Sequence, residues 1–127
     1  MTETWQNLAE GAYQAALSLR QERNWRSVIS RAYYAVYSRV AALLVARGVT
    51  MPAKYEGPLH AKLAELVIAH LTHLGDLRWT ISAWIRALYA QRVIADYRPS
   101  GRAGENGARN ALTIMTDTFC LLREKKS

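Results

Sequence analysis

Apolar residues recur at steps of three and four through most of this chain, and no segment sustains an alternation of apolar and polar residues. The first spacing places apolar side chains on one face of an α-helix, whereas alternation would indicate a half-buried strand. Glycine and proline divide the pattern at Gly48, Pro52, Gly75 and Pro99, where helices are expected to stop. The chain is therefore predicted to be all-α, a four- to five-helix up-and-down bundle in which each helix has one apolar face.

The predicted helices follow from these stops. They run from about Thr4 to the charged stretch 20–24, over 25–47, 59–74 and 76–98, and through the apolar pattern 108–122. The first two should form an antiparallel hairpin, and the link containing Gly101, Gly104 and Gly107 is interpreted as a hinge. The residues expected to face the core are Trp5, Leu8, Ala12, Ala16, Leu19, Val28, Ile29, Ala32, Val36, Val40, Leu43, Leu59, Leu63, Leu66, Val67, His70, Leu74, Leu77, Ile81, Trp84, Ile85, Leu88, Ala108, Ala111, Leu112, Met115, Phe119 and Leu122.

The length of 127 residues suits one domain, which buries about two thirds of the surface that its unfolded chain exposes. We expect a single domain over 1–127, with its core at about 4–124. Cys120, the one cysteine, falls in an apolar helical pattern and is predicted to pack in the core in a reducing compartment. No basic-then-apolar leader follows Met1, and charges interrupt each apolar stretch before the ~20 residues that span a bilayer. A cytoplasmic protein without a membrane segment is expected.

The formal net charge is +7 and the sequence pI is about 9.9. A small basic domain favours anionic partners, of which nucleic acid is the commonest. Arginine outnumbers lysine, and its planar fork suits phosphate and base edges better than a point charge does. The charge is spread along helices rather than concentrated in a tail, so a basic surface that serves only solubility is the alternative interpretation.

An ion pair continues the apolar stripe of the fourth predicted helix, where Arg92 and Asp96 take the next two positions after Leu88. Arginine before aspartate at i,i+4 is the less favourable order, and a carboxylate in the last turn opposes the helix dipole. Local helix stability therefore does not explain the pair. Two interpretations remain: an ordinary solvated pair beside a half-exposed Tyr97, or a phosphate-facing Arg92 that Asp96 holds in place, with Tyr97 beside it.

The histidines give weaker indications of a site. His70 and His73 are three residues apart on a helix, which suits two metal ligands, but no paired cysteine or carboxylate cluster stands near them in sequence. Because His70 lies on the apolar line, it is predicted to be a core or interface histidine, and neither a metal site nor a cofactor is expected. His60, in the first turn of a helix, could cap that helix or contact an anion.

The segment Ser30-Arg31-Ala32-Tyr33-Tyr34-Ala35-Val36-Tyr37 places three tyrosines on one helix. Tyr33 and Tyr37 share one face, whereas Arg31 and Tyr34 share another. Such an aromatic run usually packs in a core, with hydroxyl groups reaching outward to partners. Together with His60 at the start of the third helix and the Arg92-x-x-Ala95-Asp96-Tyr97 end of the fourth, this segment resembles the HEPN (higher eukaryotes and prokaryotes nucleotide-binding) superfamily, especially its small stand-alone prokaryotic members. The resemblance spans about residues 5–124.

The resemblance implies an all-α bundle that dimerises, with the fourth-helix arginines of two protomers facing one cleft. Many members are metal-independent ribonucleases, often toxins neutralised by a minimal nucleotidyltransferase. Their active motif is an arginine followed four to six residues later by a histidine. Arg92 matches that arginine, whereas Tyr97 stands where the histidine is expected. A phenol has a reference pKa near 10, so it is a weak general base at neutral pH, although it can donate a proton or hydrogen-bond a phosphate.

Three functions are consistent with these patterns. The leading one is a homodimer that binds RNA or a nucleotide at a basic cleft, within a toxin-antitoxin or defence module. The alternatives are a non-catalytic domain that docks a nucleotidyltransferase and carries a tyrosine it modifies, or a structural helical-bundle subunit. The predicted nucleic-acid contacts are Arg31, Tyr34, Arg92, Arg98 and Arg102, and in a ribonuclease the predicted catalytic residues are Arg92, Asp96 and Tyr97.

Overall fold

The computed structural model describes residues 4–50, 58, 60–98 and 103–124. Five α-helices contain most of these residues and no strand occurs among them, so the predicted all-α fold is confirmed. Short 3-10 turns at His60–Lys62 and Thr72–Leu74 flank the third helix. In chain order the helices are α1 (Trp5–Gln21), α2 (Trp25–Ala46), α3 (Leu63–His70), α4 (Leu77–Tyr97) and α5 (Glu105–Glu124).

The predicted start of α1 and the predicted stop of α2 are both confirmed. Thr4 caps α1, because its Oγ1 accepts a hydrogen bond from the backbone N–H of Asn7 at 3.0 Å and so satisfies a donor that has no partner inside the helix. After α2, Gly48 has a φ of +79°. This left-handed conformation closes a helix at little cost when the residue has no Cβ.

Helices α1 and α2 form the predicted antiparallel hairpin. Trp5, at the start of α1, makes an edge-to-face contact with Tyr37 at 5.8 Å between ring centroids. The same tryptophan lines a groove with Ala42 and Val45, near the end of α2. Because the start of α1 meets the later half of α2, the two helices run in opposite directions.

Helix α2 is the central element, since it packs against α1, α4 and α5. The apolar faces of the helices meet in one hydrophobic cluster, to which all six predicted core residues of α5 belong. Helix α2 is also long and apolar enough to cross a membrane by length and composition. However, 61% of its most apolar window is buried within the protein, as in the core helix of a globular fold.

Three residues predicted to face the core are exposed, and they are Leu8, Cys120 and His70. Leu8 is 43% exposed, because the buried stripe of α1 runs through the neighbouring Ala9. Cys120 is exposed, because its neighbour Phe119 takes the core-facing position on α5. The prediction that Cys120 packs in the core is therefore wrong.

The third predicted helix is broken near its end. In a continuous helix the carbonyl of Ile68 would accept a hydrogen bond from residue 72, but here it accepts one from Nη1 of Arg78 at 2.8 Å. Helix α3 therefore ends at His70, and Leu71 takes the next fully buried position. His70 itself is exposed, so it does not lie in the core, and its placement at an interface stays a prediction.

The glycine-rich link is shorter than the sequence suggested. Helix α5 begins at Glu105, so Gly107 lies inside it, whereas Gly101 falls outside the described residues. A Cβ at Gly107 would lie 3.5 Å from Cδ1 of Ile29 on α2. Gly107 therefore belongs to α5 and faces α2, and its interpretation as part of a hinge is wrong.

Candidate functional site

Arg92 lies in the last two turns of α4 and is the centre of a cluster shared with α2. Its side chain is only 11% exposed, and Nε lies 3.0 Å from Oδ2 of Asp96. Nη2 donates a hydrogen bond to the Tyr34 hydroxyl at 2.7 Å and a longer one to the Tyr97 hydroxyl at 3.4 Å. The guanidinium is therefore largely buried and held by three side chains, which does not fit the interpretation of an ordinary solvated pair.

Asp96 connects the arginine to a second residue of α2. Its Oδ2 accepts a hydrogen bond from Oγ of Ser30 at 3.3 Å, and its side chain is 26% exposed. The Nε–H of Arg92 does not point along a hydrogen bond to this carboxylate, although the two atoms are close. The contact is therefore an ion pair that places the guanidinium rather than a linear hydrogen bond.

Aromatic rings surround the Arg92 guanidinium. Its Cζ lies 5.3 Å from the ring centroids of both Tyr34 and Tyr97, and 5.7 Å from that of Tyr33. Contacts of this kind contribute ~0.5–2 kcal/mol each, and more as water is excluded. Burial opposes the charge, but Tyr34, Tyr97 and Asp96 outweigh it and raise the pKa of Arg92. Arg92 is therefore a stable cation in a partly dry position.

Tyr33 links this cluster to His60 on the 3-10 turn before α3. Tyr33 is 1% exposed, and its hydroxyl lies 2.7 Å from Nδ1 of His60. Burial raises the pKa of Tyr33, whereas burial and then the charge of Arg92 lower the pKa of His60. Both groups are therefore uncharged at neutral pH, and a hydrogen bond between neutral partners joins them.

His60 is also part of an aromatic stack. Its ring lies 4.4 Å from that of Tyr37 between centroids, at an interplanar angle of 27°. The ring of Tyr89 on α4 is nearly parallel to it, at 6.4 Å and 17°. The Tyr37 hydroxyl donates to the carbonyl of Pro58. These contacts fix Pro58 and His60 against α2 and place His60 beside the candidate site.

Arg26, near the start of α2, holds the end of α4 in place. Its Nη1 donates to three backbone carbonyls at 2.9–3.2 Å. The last carbonyls of a helix lack intrahelical partners and carry partial negative charge. A guanidinium both donates hydrogen bonds to them and offsets that charge. Arg26 thereby positions the turn that carries Asp96 and Tyr97. The three acceptors are the carbonyl oxygens of Ile94, Ala95 and Arg98.

The structure places the predicted site residues in three groups. Arg31 is exposed, and within the described part of the chain no contact joins it to Arg92. Arg98 is also exposed, and its contribution is a backbone carbonyl rather than its side chain. Arg102 lies outside the described residues. The residues brought together are Tyr34, Arg92, Asp96 and Tyr97, and these four form the Arg92 cluster.

The sequence reasoning missed Arg26 and Ser30. Both lie on the same face of α2 as Tyr34, because positions 26, 30 and 34 follow each other at steps of four residues. That face meets α4. The face predicted for Tyr34 instead includes Arg31, three residues away, which the structure leaves outside the cluster. Steps of four back from Tyr34 would have identified both missed residues.

A metal site is not evident in the part of the chain that the structure describes. No group of three or more histidine, cysteine, aspartate or glutamate side chains is arranged there to hold an ion. The groups available at the Arg92 cluster are a guanidinium, a carboxylate and phenolic hydroxyls. This set can bind an anion electrostatically and can donate protons.

The family model described as the HEPN domain matches residues 2–125 of the chain. The chain therefore belongs to the HEPN domain family, which confirms the resemblance and agrees with the all-α fold. This membership supports a function connected with nucleotides or RNA in general. No curated protein and no solved structure matches the chain significantly.

Proposed function

We propose that this protein binds RNA or a nucleotide through a phosphate group at Arg92. The observation that carries the proposal is the pre-positioned guanidinium, whose Nε and Nη2 are held by Asp96 and Tyr34. Among the described residues none accepts a hydrogen bond from Nη1, so its two N–H groups are left for an acceptor outside the protein. A fixed guanidinium loses little entropy on binding, and its fork fits phosphate oxygens.

The proposal includes a homodimer in which the Arg92 sites of two protomers face one cleft, as HEPN domains commonly dimerise. Two chains of net charge +7 would attract a polyanion over a distance of about a Debye length, ~10 Å at 0.1 M salt. A toxin-antitoxin or defence module is the setting that we propose for it.

In its catalytic form the proposed activity is metal-independent RNA cleavage. Arg92 stabilises the negative charge that develops on the phosphate oxygens, and Asp96 orients Arg92. Tyr97 is 65% exposed, and its hydroxyl lies 3.4 Å from Nη2 of Arg92. From this position it donates its proton to the O5′ that departs as the 2′-hydroxyl oxygen attacks the phosphorus, and the proton released by that hydroxyl returns through water to the Tyr97 phenolate.

Two assays test the proposal. RNA binding should weaken steeply as the salt concentration is raised if several arginines contact phosphates. An affinity that does not depend on salt, or no binding at low salt, favours a structural bundle subunit. Cleavage is then compared for the wild type, Arg92→Ala and Tyr97→Phe. If Arg92→Ala loses cleavage and Tyr97→Phe retains it, Arg92 is essential for cleavage and Tyr97 is dispensable. Cleavage unchanged in Arg92→Ala would refute the catalytic assignment.

The exposure of Tyr97 favours a second candidate, in which its hydroxyl oxygen attacks the α-phosphate of a nucleoside triphosphate held by a partner nucleotidyltransferase, losing its proton and releasing pyrophosphate. Tyr97 is 65% exposed, whereas Tyr33 and Tyr37 are 1% and 7% exposed. Incubation with ATP and an active nucleotidyltransferase should add the mass of one or more adenylates to the wild type and none to Tyr97→Phe. An unchanged mass of the wild type would count against this role.

A further inference from the structure

A cavity of about 180 Å³ opens beside α4, next to the Arg92 cluster. It is open to solvent and is smaller than the ~300–1,000 Å³ of pockets that take drug-sized ligands. A single ring system fits this size better than a whole nucleotide does. The lining residues are His60, Ala61, Ala64, Ile85, Arg86 and Tyr89.

The cavity and the Arg92 guanidinium are neighbours. Tyr89 lies three residues before Arg92 on one face of α4, which is about 4.5 Å along the helix axis. The rings of Tyr89 and His60 lie 5.7 Å and 5.5 Å from the ring of Tyr33 between centroids. Tyr33 in turn lies 5.7 Å from Cζ of Arg92. One ligand can therefore reach the cavity and the guanidinium together.

The chemistry of the lining suits a flat, polar-edged ring. Tyr89 and His60 present nearly parallel aromatic rings, while Ala64 and Ile85 supply apolar surface. Arg86 is exposed on α4 and brings a guanidinium that can stack on a base or donate to its edge. Every nucleobase has a π-face, so stacking on tyrosine holds it without demanding a sequence.

We propose that this cavity is the base-binding subsite for a nucleotide whose phosphate contacts Arg92. The inference rests on the proposed function and extends it by naming the second half of the ligand and the residues that hold it. Tyr89 supplies the stacking surface, and Arg86 contacts the exposed edge of the base. The ligand class is a nucleoside monophosphate or one nucleotide of a single-stranded RNA.

The experiment compares AMP and CMP with ribose 5-phosphate, which carries the same phosphate and sugar without a base. Affinities are measured by NMR titration of the wild type, Tyr89→Leu and Tyr89→Phe. The wild type should bind the nucleotides about 5- to 150-fold more tightly than ribose 5-phosphate, the range expected for one base–aromatic stack. Tyr89→Leu should remove this preference, and Tyr89→Phe should keep it.

Two further variants complete the experiment, one as a control and one as an independent test of the subsite. Trp79→Leu removes an exposed aromatic ring from the first turn of the same helix and should change neither affinity. Arg86→Gln changes an exposed residue and should weaken nucleotide binding while leaving the binding of ribose 5-phosphate unaffected. It tests the subsite independently if Tyr89→Leu does not fold.

The outcomes separate the subsite from the phosphate site. Equal affinity of the wild type for AMP and ribose 5-phosphate would overturn the subsite while the phosphate site stands. A preference that survives in a folded Tyr89→Leu, or in Arg86→Gln if the first variant does not fold, would do the same. Failure of the wild type to bind any of the three ligands would overturn the subsite, whereas the phosphate site is judged by the salt dependence of RNA binding.

Discussion

The hydroxyl of Tyr34 on α2 lies 2.7 Å from Nη2 of Arg92 on α4, so one hydrogen bond joins the two helices at the candidate site. One turn earlier on α2, Ser30 donates to the carboxylate of Asp96. The two contacts cross the same helix interface and fix how far α4 slides along α2. Any change that breaks them should affect both the stability of the fold and the geometry of the guanidinium.

Replacing Tyr34 by phenylalanine tests the first of these contacts. The variant keeps the ring but removes the acceptor of a charged, largely buried donor, so the free energy of unfolding should fall by about 1–3 kcal/mol. Urea unfolding measures it. Tyr13→Phe, at a half-buried tyrosine that packs on Phe119, is the matched control and should change stability less. Equal stability of Tyr34→Phe and the wild type would contradict the role assigned to this hydrogen bond.

Replacing Arg26 by glutamine should loosen the end of α4. The three carbonyls that Arg26 caps would lose a charged donor, so amide hydrogen exchange over residues 95–98 should accelerate about 10-fold, equivalent to ~1.4 kcal/mol. Arg31→Gln makes the same charge change at an exposed position of the same helix and should not change the amide exchange rate over residues 95–98. Matching rates in the two variants would show that Arg26 does not anchor the turn.

Replacing Gly107 or Gly75 by alanine should change the free energy of unfolding in opposite directions. Gly107 lies inside α5, and a Cβ there meets only ordinary contact, at 3.5 Å from Ile29. Gly107→Ala should therefore raise the free energy of unfolding by about 0.4–1 kcal/mol. Gly75 has φ +59° and ψ −135°, a conformation that alanine avoids, so Gly75→Ala should lower it by about 1–3 kcal/mol. Thermal unfolding compares them, and a destabilised Gly107→Ala would show that α5 has no room for the methyl group.

Stability should depend on pH through His60. Burial and Arg92 lower its pKa in the folded state, so below the reference value near 6.5 the unfolded chain binds more protons. The contribution of His60 to the free energy of unfolding is therefore fully present above about pH 6.5 and is lost as the pH falls below that value. His73, whose pKa is lowered by burial and then by Arg47, adds a dependence of the same sign.

The contribution of His60 is isolated by substitution. Urea unfolding at pH 7.5 and pH 5.5 should show a smaller loss of stability for His60→Gln than for the wild type. His70→Gln changes an exposed histidine and should retain the wild-type dependence. An unchanged loss in His60→Gln would mean that His60 does not carry this effect.

The sequence predicted those features that depend on local spacing. The stop of α2 at Gly48 and the i,i+4 pairing of Arg92 with Asp96 are of this kind. The Tyr34–Arg92 contact joins positions 58 residues apart, and no local pattern states which turn of α2 faces which turn of α4. The break in α3 likewise escaped prediction, because it depends on a side chain ten residues further along, that of Arg78.

The central claim is that Arg92 contacts a phosphate, and the most direct measurement is the salt dependence of RNA binding. A single-stranded RNA oligonucleotide is titrated with the wild type, Arg92→Gln and Arg109→Gln, whose arginine is exposed and paired with Glu105 on α5. Arg92→Gln should weaken binding by at least ~10-fold and make the plot of log affinity against log salt less steep by about 0.7, the contribution of one phosphate contact. Arg109→Gln should stay close to the wild type. An equal effect of the two substitutions, or none from Arg92→Gln, would contradict a phosphate contact at Arg92.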